Sequence, residues 1–139
     1  MTGGGVVYTT DVTGLSAAEL TGFFVDWPSP PSPERHLEIL RGSDRVVLAR
    51  EGDNGRVLGF VTAISDGVLS AFIPLLEVLP ECQGQGIGSE LVRRILSELD
   101  DFYMVDLVCD PELEGFYRRF EMTLLAGMAV RRRHLLTAH

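Results

Sequence analysis

The chain has 139 residues, of which 45% are hydrophobic and 23% charged, and a formal net charge of −8. This length predicts one domain over residues 1–139, large enough to bury a hydrophobic core. The acidic charge argues against nucleic acid as a partner, and the chain has no apolar run of about 18 residues that would predict a membrane span. Cys82 and Cys109 lack metal-ligand spacing and the N-terminus lacks a signal-peptide pattern, so we expect a cytoplasmic protein without metal.

The first half of the chain predicts a strand, two helices and a β-hairpin. The first helix begins with a capping box between Ser16 and Glu19, and the second begins with a serine cap followed by proline. The hairpin has two strand-like runs on either side of a Gly-Asp-Asn-Gly turn. The predicted elements are Val6–Thr10, a helix after Ser16 with Phe23 and Phe24 on its apolar face, a helix from Pro33 to about Arg41, and strands over Arg45–Arg50 and Arg56–Ser65.

The second half predicts alternating strands and helices. The run Leu69–Val78 is apolar on both faces, which is typical of a central strand, but Pro74 removes a hydrogen-bond donor and predicts irregular pairing. A helix with an apolar stripe follows from Ile87. The remaining predictions are a strand over Tyr103–Cys109, a helix from Asp110-Pro111, and one or two closing strands over Leu124–Arg132. The expected fold is α/β, a mixed and mostly antiparallel sheet flanked by helices.

The loop between the Leu69–Val78 strand and the next helix is the most informative stretch. Gly84, Gly86 and Gly88 alternate there, and three alternating glycines are more than a sharp turn needs. Such a loop presents successive backbone N–H groups at a helix N-terminus, which favours a phosphate or pyrophosphate ligand. The spacing is not the G-x-G-x-x-G dinucleotide fingerprint, and no G-K-[ST] of a Walker loop occurs. A simple strand-to-helix turn without a ligand is the alternative.

These residues resemble the GNAT superfamily of CoA-dependent N-acetyltransferases. Gln83-Gly-Gln-Gly-Ile-Gly88 looks like the family motif [QR]-x-x-G-x-[GA], and Val78-Leu-Pro-Glu81 is similar to its V-x-P-E lead-in. Cys109–Phe120 resembles the second signature, a strand and a short helix carrying F-Y, with Glu121 in place of the glycine that usually comes next. Both signatures occur in the right order and cover about Leu69 to Arg132, nearly half of the chain.

The resemblance implies that acetyl-CoA binds in a V-shaped gap between two splayed central strands. Its pyrophosphate would accept hydrogen bonds from the glycine loop, where glycine lets the backbone approach closely. Its pantetheine would pair with the free edge of the preceding strand. Cys109-Asp110 stands near where many members carry an asparagine that contacts CoA, so those contacts transfer less well. The implied cofactor-binding residues are Leu76, Val78, Gln83, Gly84, Gln85, Gly86, Ile87, Gly88 and Ser89.

The family transfers the acetyl group directly to an amine, so the resemblance implies three catalytic roles. The backbone N–H of Val78 would stabilise the oxyanion, and Tyr117 would protonate the leaving thiolate as general acid. Glu77 is a carboxylate on an otherwise apolar strand and is the candidate base. The alternatives are that Tyr117 is a core residue, that Glu77 makes a structural hydrogen bond or ion pair, and that a water chain acts as base. Asp110 precedes proline and is more simply a helix cap.

The implied partners are acetyl-CoA and an acceptor, a primary amine of a small molecule or peptide. The acceptor would enter beside Phe23–Trp27, where Asp26 and Trp27 offer an acidic and aromatic surface for a cation. A homodimer fits the resemblance because closing strands often mediate one in this family. Two other functions stay open. One is a catalytically inactive CoA-binding or sensing domain, and the other is a dinucleotide-binding module that would bind NAD rather than CoA.

Overall fold

The computed structural model describes residues 5–136. Within this range no helix is both long and apolar enough to cross a membrane. The strands are β1 Val6–Thr9, β2 Arg45–Glu51, β3 Val57–Ser65, β4 Ser70–Phe72, β5 Leu76–Val78 and β6 Met104–Asp106. The α-helices are α1 Pro33–Gly42, α2 Ile87–Glu98 and α3 Glu114–Arg118. Short 3-10 helices cover Ala17–Leu20, Pro80–Cys82, Pro111–Leu113 and Arg133–Leu136.

The strands form one open sheet in the order β1-β2-β3-β4-β6, and β5 also pairs with β3. All pairs are antiparallel except β4 and β6, which run parallel. The fold is therefore α/β with a mixed, mostly antiparallel sheet, as the sequence predicts. The central hairpin of β2 and β3 is almost entirely buried and carries the core.

The predicted strand that contains Pro74 is divided into β4 and β5. Phe72 pairs with Ile64 and Leu76 pairs with Val61. From one pair to the next, the segment with Pro74 advances by four residues while β3 advances by only three. One extra residue is accommodated as a bulge around Pro74, which confirms the predicted irregular pairing. The expectation that this strand is buried on both faces is wrong, because the Phe72 side chain is exposed and β5 borders an open cleft.

Different helices cover the two faces of the sheet. α2 packs over Gly59, where a Cβ would lie 3.1 Å from Leu91 Cδ1, so glycine permits the close approach. On the opposite face α1 places His36 against Phe60, with ring centroids 4.3 Å apart. The apolar stripe predicted for α2 is confirmed: Ile87, Leu91, Val92, Ile95 and Leu99 are buried, and Leu96, which also belongs to the predicted stripe, is half-buried.

The helix predicted after Ser16 is only a 3-10 turn. Its capping box is present, with the Ser16 N–H donating to Glu19 Oε1 at 2.9 Å, but the helical hydrogen bonds stop at Leu20. The prediction that Phe23 and Phe24 lie on a helix face is wrong. The backbone of Thr21 is already extended, with a ψ of 149°, and Gly22 follows with a positive φ of 96°. Both phenylalanines are buried from the loop after it.

The closing strands predicted over Leu124–Arg132 are wrong for the single chain. Residues 123–132 have no strand partner among residues 5–136, and Leu125 and Met128 are exposed. Strand propensity reflects how side chains fit a pleated surface, whereas a strand also needs a neighbour that completes its backbone hydrogen bonds. In this chain β6 therefore ends the sheet.

Candidate active site

A cleft of about 660 Å³ opens where β5 diverges from the segment after β6. At the closed end of the gap the Ile73 N–H donates a hydrogen bond to Asp106 O at 2.9 Å, and beyond it the two segments separate. The bulge at Pro74 causes this splay because it turns β5 onto β3 and away from β6. The predicted V-shaped gap is thus present. Five predicted site residues line it, namely Leu76, Glu77, Val78, Gln83 and Tyr117.

One backbone edge of β5 faces the cleft. Backbone bonds join Leu75 O and Leu79 N to β3, at 3.0 and 2.8 Å. Because alternate residues of an antiparallel strand bond to its neighbour, Leu76 and Val78 direct their N–H and C=O groups away from β3. The Val78 carbonyl accepts a hydrogen bond from Gln83 Nε2 at 3.1 Å. The N–H groups of Leu76 and Val78 are left facing the cleft.

The glycine loop continues from Gln83 at the rim of the cleft to the start of α2. Gly84 and Gly86 adopt positive φ angles of 81° and 85°, a conformation that other residues reach only with strain. A Cβ at either position would meet open space, so the loop backbone is accessible. Within residues 5–136 the N–H groups of 84–86 make no hydrogen bond, and they lie beside the unpaired N–H groups of the first turn of α2. This arrangement suits an anion.

A positively charged group stands beside this loop that the sequence analysis did not identify. Arg119 Nη2 donates to Ser89 Oγ at 2.9 Å. Its guanidinium lies over the rings of Phe116 and Phe120, 5.0 and 5.6 Å from their centroids, which fixes its position. The sequence pattern that could have indicated this contact is the F-Y-R-R run of the second signature. In a short helix, Phe116 and Arg119 are three positions apart and therefore lie on the same face.

Tyr117 projects from α3 into the cleft opposite β5. Burial, together with the neighbouring Cys109, raises the pKa of Tyr117 to about 12. The phenol is therefore neutral at physiological pH and can donate a proton. Its neighbour Phe116 packs edge-on at 4.9 Å and lies close to Gly88 at the start of α2. These contacts position the α3 wall of the cleft.

Glu77 lies at the same cleft and also has a structural contact. Its carboxylate accepts the Phe24 N–H at 2.9 Å, across 53 residues of chain. Burial raises the pKa of Glu77, and the Phe24 hydrogen bond opposes this in part. Phe24 itself has a φ of 62°, so the carboxylate supports a strained loop. The structural hydrogen bond considered from the sequence is present, and the second carboxylate oxygen is left for other contacts.

The loop after Phe24 forms one wall of the cleft through Asp26 and Trp27. Trp27 packs on Phe24 at 5.0 Å between ring centroids, and Asp26 has a φ of 73°. On the other side Asp110 precedes a 3-10 helix but its side chain makes no capping hydrogen bond, and it lines the cleft with Arg131. Arg131 belongs to a predicted closing strand, and its place at this cleft does not follow from the sequence pattern.

Among residues 5–136, no group of three or more His, Cys, Asp or Glu side chains is placed to hold a metal ion. The protein is instead organised around a splayed pair of strands, a free backbone edge and a glycine loop at a helix N-terminus. These features define a fold of the GNAT type. The model of the Acetyltransferase (GNAT) family matches residues 13–122, and the chain belongs to this family.

Known proteins from bacteria and plants are similar to this chain. A structure from Deinococcus radiodurans, described provisionally as an acetyltransferase, is 46% identical, has a TM-score of 0.90 and covers 94% of this chain and 91% of its own. A GNAT family acetyltransferase from Streptococcus pneumoniae is 27% identical with a TM-score of 0.74, covering 92% and 98%. Serotonin N-acetyltransferase 2, chloroplastic, from Oryza sativa subsp. japonica is 30% identical over 76% of this chain. The chain spans 56% of that rice protein.

Proposed function

We propose that this protein transfers the acetyl group of acetyl-CoA directly to a primary amine. The observation that carries the proposal is that the free backbone edge of β5, the Glu77 side chain and Tyr117 line the same cleft. Family membership supports an acyltransferase, and the cleft chemistry favours an amine acceptor. We further propose that residues 1–139 act as one domain in a reducing, cytoplasmic compartment.

The residues present fit acetyl-CoA. The N–H groups from Gln83 to Ser89 would hold its pyrophosphate, since the loop is open and Gly84 and Gly86 add no side chain. Arg119, held beside Ser89, would add a positive charge near the phosphates. The edge of Leu76 and Val78 would pair with the amide groups of the pantetheine arm. When bound, acetyl-CoA supplies an acetyl thioester at the splay of the strands.

Three groups of the chain would perform the transfer. The Glu77 carboxylate, whose pKa is raised by burial, would accept a proton from the amine, directly or through water. The Val78 N–H would donate to the thioester carbonyl oxygen as negative charge develops on it. The neutral Tyr117 phenol would donate its proton to the sulfur as the carbon–sulfur bond breaks. The products are an N-acetyl amine and free CoA.

The acceptor side of the cleft favours a cation with an apolar or aromatic body. Asp26, Glu77 and Asp110 place three carboxyl groups around the opening against one arginine, Arg131. Trp27 adds an aromatic face. The rice relative is named for serotonin, an arylalkylamine, so arylalkylamines are the first acceptors to test.

A thiol-release assay across a panel of amines tests the proposal. The panel should contain an arylalkylamine, a polyamine, an amino sugar and a peptide with a free N-terminus, with mass spectrometry to identify the acetylated product. We expect turnover on at least one amine and none on its N-acetylated form. Saturable acetyl-CoA binding without turnover on any amine would support a sensing domain instead. Binding of NAD but not CoA would support a dinucleotide module.

The role of Glu77 is tested by Glu77→Gln, because the amide oxygen can still accept the Phe24 N–H. The variant should fold with unchanged acetyl-CoA affinity and lose about 10²-fold in kcat/KM. The wild-type kcat/KM should rise with pH as the Glu77 carboxyl, whose pKa is raised, loses its proton. The variant should lack this rise. A variant with the wild-type rate and pH profile would exclude Glu77 as the base and leave it as a support of the loop.

A further inference from the structure

The backbone of Phe24 adopts a conformation that is unusual for a large side chain. Its φ is 62°, in the left-handed region that glycine enters freely and that an aromatic residue adopts only with strain. Such strain persists only where the surrounding structure holds it, and strained residues of this kind cluster at active sites. Phe24 lies in the loop whose next residues, Asp26 and Trp27, form one wall of the cleft. Its conformation therefore points to a role at the cleft.

Neighbouring rings hold Phe24 in this conformation. Its side chain is buried, and its ring centroid lies 5.0 Å from that of Trp27, 4.9 Å from that of His36 and 6.0 Å from that of Phe60. Phe60 is also the cross-strand partner of Glu77, so these two side chains lie on the same face of the sheet. The ring of Phe24 and its N–H therefore contact the two members of one cross-strand pair.

The Phe24 N–H holds the Glu77 carboxylate. It donates to Glu77 Oε1 at 2.9 Å. Burial raises the pKa of Glu77, and the Phe24 hydrogen bond favours the charged form. The other titratable or charged side chains around this cleft and ring cluster are Asp26, His36, Cys109, Asp110, Arg131 and Tyr117. Within residues 5–136, none of these forms a hydrogen bond or an ion pair with Glu77, so the position of its carboxylate depends on Phe24.

We infer that Phe24 is a positioning residue, whose N–H fixes one oxygen of the Glu77 carboxylate and leaves the other oxygen for the acceptor amine. This inference rests on the proposed function, in which Glu77 accepts a proton from that amine. The angle φ sets the direction of the N–H relative to the side chain, so the value of 62° lets the ring enter the core while the N–H reaches β5. The same anchor places Asp26 and Trp27 at the opening. One residue thus positions both the candidate base and the acceptor wall.

An ester in place of the amide tests the role of the N–H directly. Incorporation of phenyllactic acid at position 24 keeps the aromatic ring and replaces the Phe24 N–H by an oxygen that cannot donate. The pKa of Glu77 should then rise, because the charged form loses its hydrogen bond while burial remains. Since the base acts only when deprotonated, the rising limb of kcat/KM should move to higher pH. We expect kcat/KM at about pH 7 to fall at least about 10-fold, with an unchanged Kd for acetyl-CoA.

The matched control is the same exchange at Phe102. The Phe102 N–H donates to Leu99 O at 3.1 Å, so this ester also removes one backbone hydrogen bond, but outside the residues that line the cleft. It should keep the wild-type kcat/KM and pH profile.

Phe24→Leu and Phe23→Leu test the ring anchor with ordinary substitutions. Both phenylalanines pack on Phe60, but of the two only Phe24 has a positive φ. Phe24→Leu should move the rising limb to higher pH, whereas Phe23→Leu should leave its midpoint in place. Equal midpoints in the two variants would refute a particular role of the Phe24 ring.

Carbon-13 NMR of the Glu77 carboxyl carbon measures its titration without any acceptor. Glu77→Gln, which has no titrating carboxyl at this position, assigns the signal. We expect Glu77 to titrate at higher pH in the Phe24 ester than in the wild type. The same midpoint in both proteins, or a higher midpoint with the wild-type kcat/KM and pH profile, would overturn the inference. A wild-type protein that acetylates no amine would refute the proposed function, while the NMR comparison would still decide whether Phe24 holds Glu77.

Discussion

Tyr117 holds a neutral phenol at the cleft because burial and the neighbouring Cys109 raise its pKa to about 12. Tyr117→Phe keeps the ring and its packing on Phe116 but removes the proton donor. We expect kcat to fall about 10²-fold while the Kd for acetyl-CoA, measured by calorimetry, changes little. Tyr103→Phe is the matched control, since that side chain is 86% exposed and lies away from the cleft lining. An unchanged kcat in Tyr117→Phe would remove the residue from the mechanism.

Glu121 is a second residue whose local conformation carries a prediction. It lies just after α3 with a φ of 63°, in the region that glycine adopts without cost, and it stands where the family usually has glycine. Glu121→Gly should raise the free energy of unfolding in urea by about 0.5–1 kcal/mol, because relief of strain outweighs the added freedom of the unfolded chain. Glu112→Gly, within the preceding 3-10 helix, has no such strain to relieve and should not stabilise. A loss of stability in Glu121→Gly would mean that contacts of the Glu121 side chain outweigh the strain.

At the level of elements, the glycine loop leads directly into α2, and its glycines differ in backbone conformation. Gly86 has a φ of 85°, whereas Gly88 is helical and a Cβ there would meet Val78 Cγ2 at an ordinary 3.7 Å. Gly86→Ala should lower the free energy of unfolding by about 1 kcal/mol and weaken CoA binding at least about 10-fold. Gly88→Ala should keep or raise stability, since alanine favours helix over glycine by about 1 kcal/mol. Thermal melts and calorimetry measure both effects.

The loop assignment fails if Gly86→Ala and Gly86→Val both fold and bind CoA with the wild-type Kd. The larger Gly86→Val substitution extends the test, because its branched side chain would also fill the space in which the pyrophosphate is proposed to lie. Loss of binding in Gly86→Val alone would indicate steric exclusion. Loss in both variants would indicate that the left-handed backbone itself is required.

For the whole molecule, the buried His36 sets a limit on acid stability. Neither ring nitrogen has a hydrogen-bond partner within residues 5–136, and burial lowers its pKa from 6.5 to about 4. The folded state therefore holds His36 neutral, and the unfolded state binds the extra proton between pH 6.5 and about 4. The free energy of unfolding is not reduced by His36 above pH 6.5. It falls as the pH falls through this window, by roughly 3 kcal/mol in total.

Substitution of His36 should remove that part of the pH dependence. His36→Leu should reduce the loss of unfolding free energy between about pH 7 and about pH 4.5 by roughly 2–3 kcal/mol relative to wild type. Urea unfolding at the two pH values gives this difference, and the comparison cancels the titration of the carboxylates common to both proteins. Equal slopes in the two proteins would show that His36 stays neutral, or is protonated without cost, in both states.

Much of the fold follows from patterns that act within a few residues. Ser32 caps α1 as predicted, with its oxygen accepting the Arg35 N–H at 3.1 Å, and Glu90 pairs with Arg94 at 2.8 Å on the exposed face of α2. The 3.6-residue stripe of α2 and the hairpin turn are equally local. The helix after Ser16 is shorter than its pattern predicts. A capping box marks only the start of a helix, and the length depends on the residues beyond it, which here include a glycine with positive φ.

The candidate site was predictable in part. The glycine loop and the lead-in to it are continuous in sequence, so their position at the mouth of the cleft could be inferred. The contact of Glu77 with Phe24 and that of Arg119 with Ser89 join residues 53 and 30 positions apart. A periodic sequence pattern relates only residues that are near one another in the chain, so it does not predict these contacts. They depend on how the loop before α1 and the turn after α3 pack against the sheet.

The sequence by itself determined the class of fold, the order of most elements and the place of the glycine loop before α2, because backbone propensity, capping and glycine spacing are local properties. Only the tertiary structure decided that the strand with Pro74 bends into two pieces, and that Arg131 and Asp26 line the same cleft. It also decided that the predicted closing strands have no partner within residues 5–136 of their own chain. A strand exists only where another backbone completes its hydrogen bonds, and that neighbour is a property of the assembled molecule.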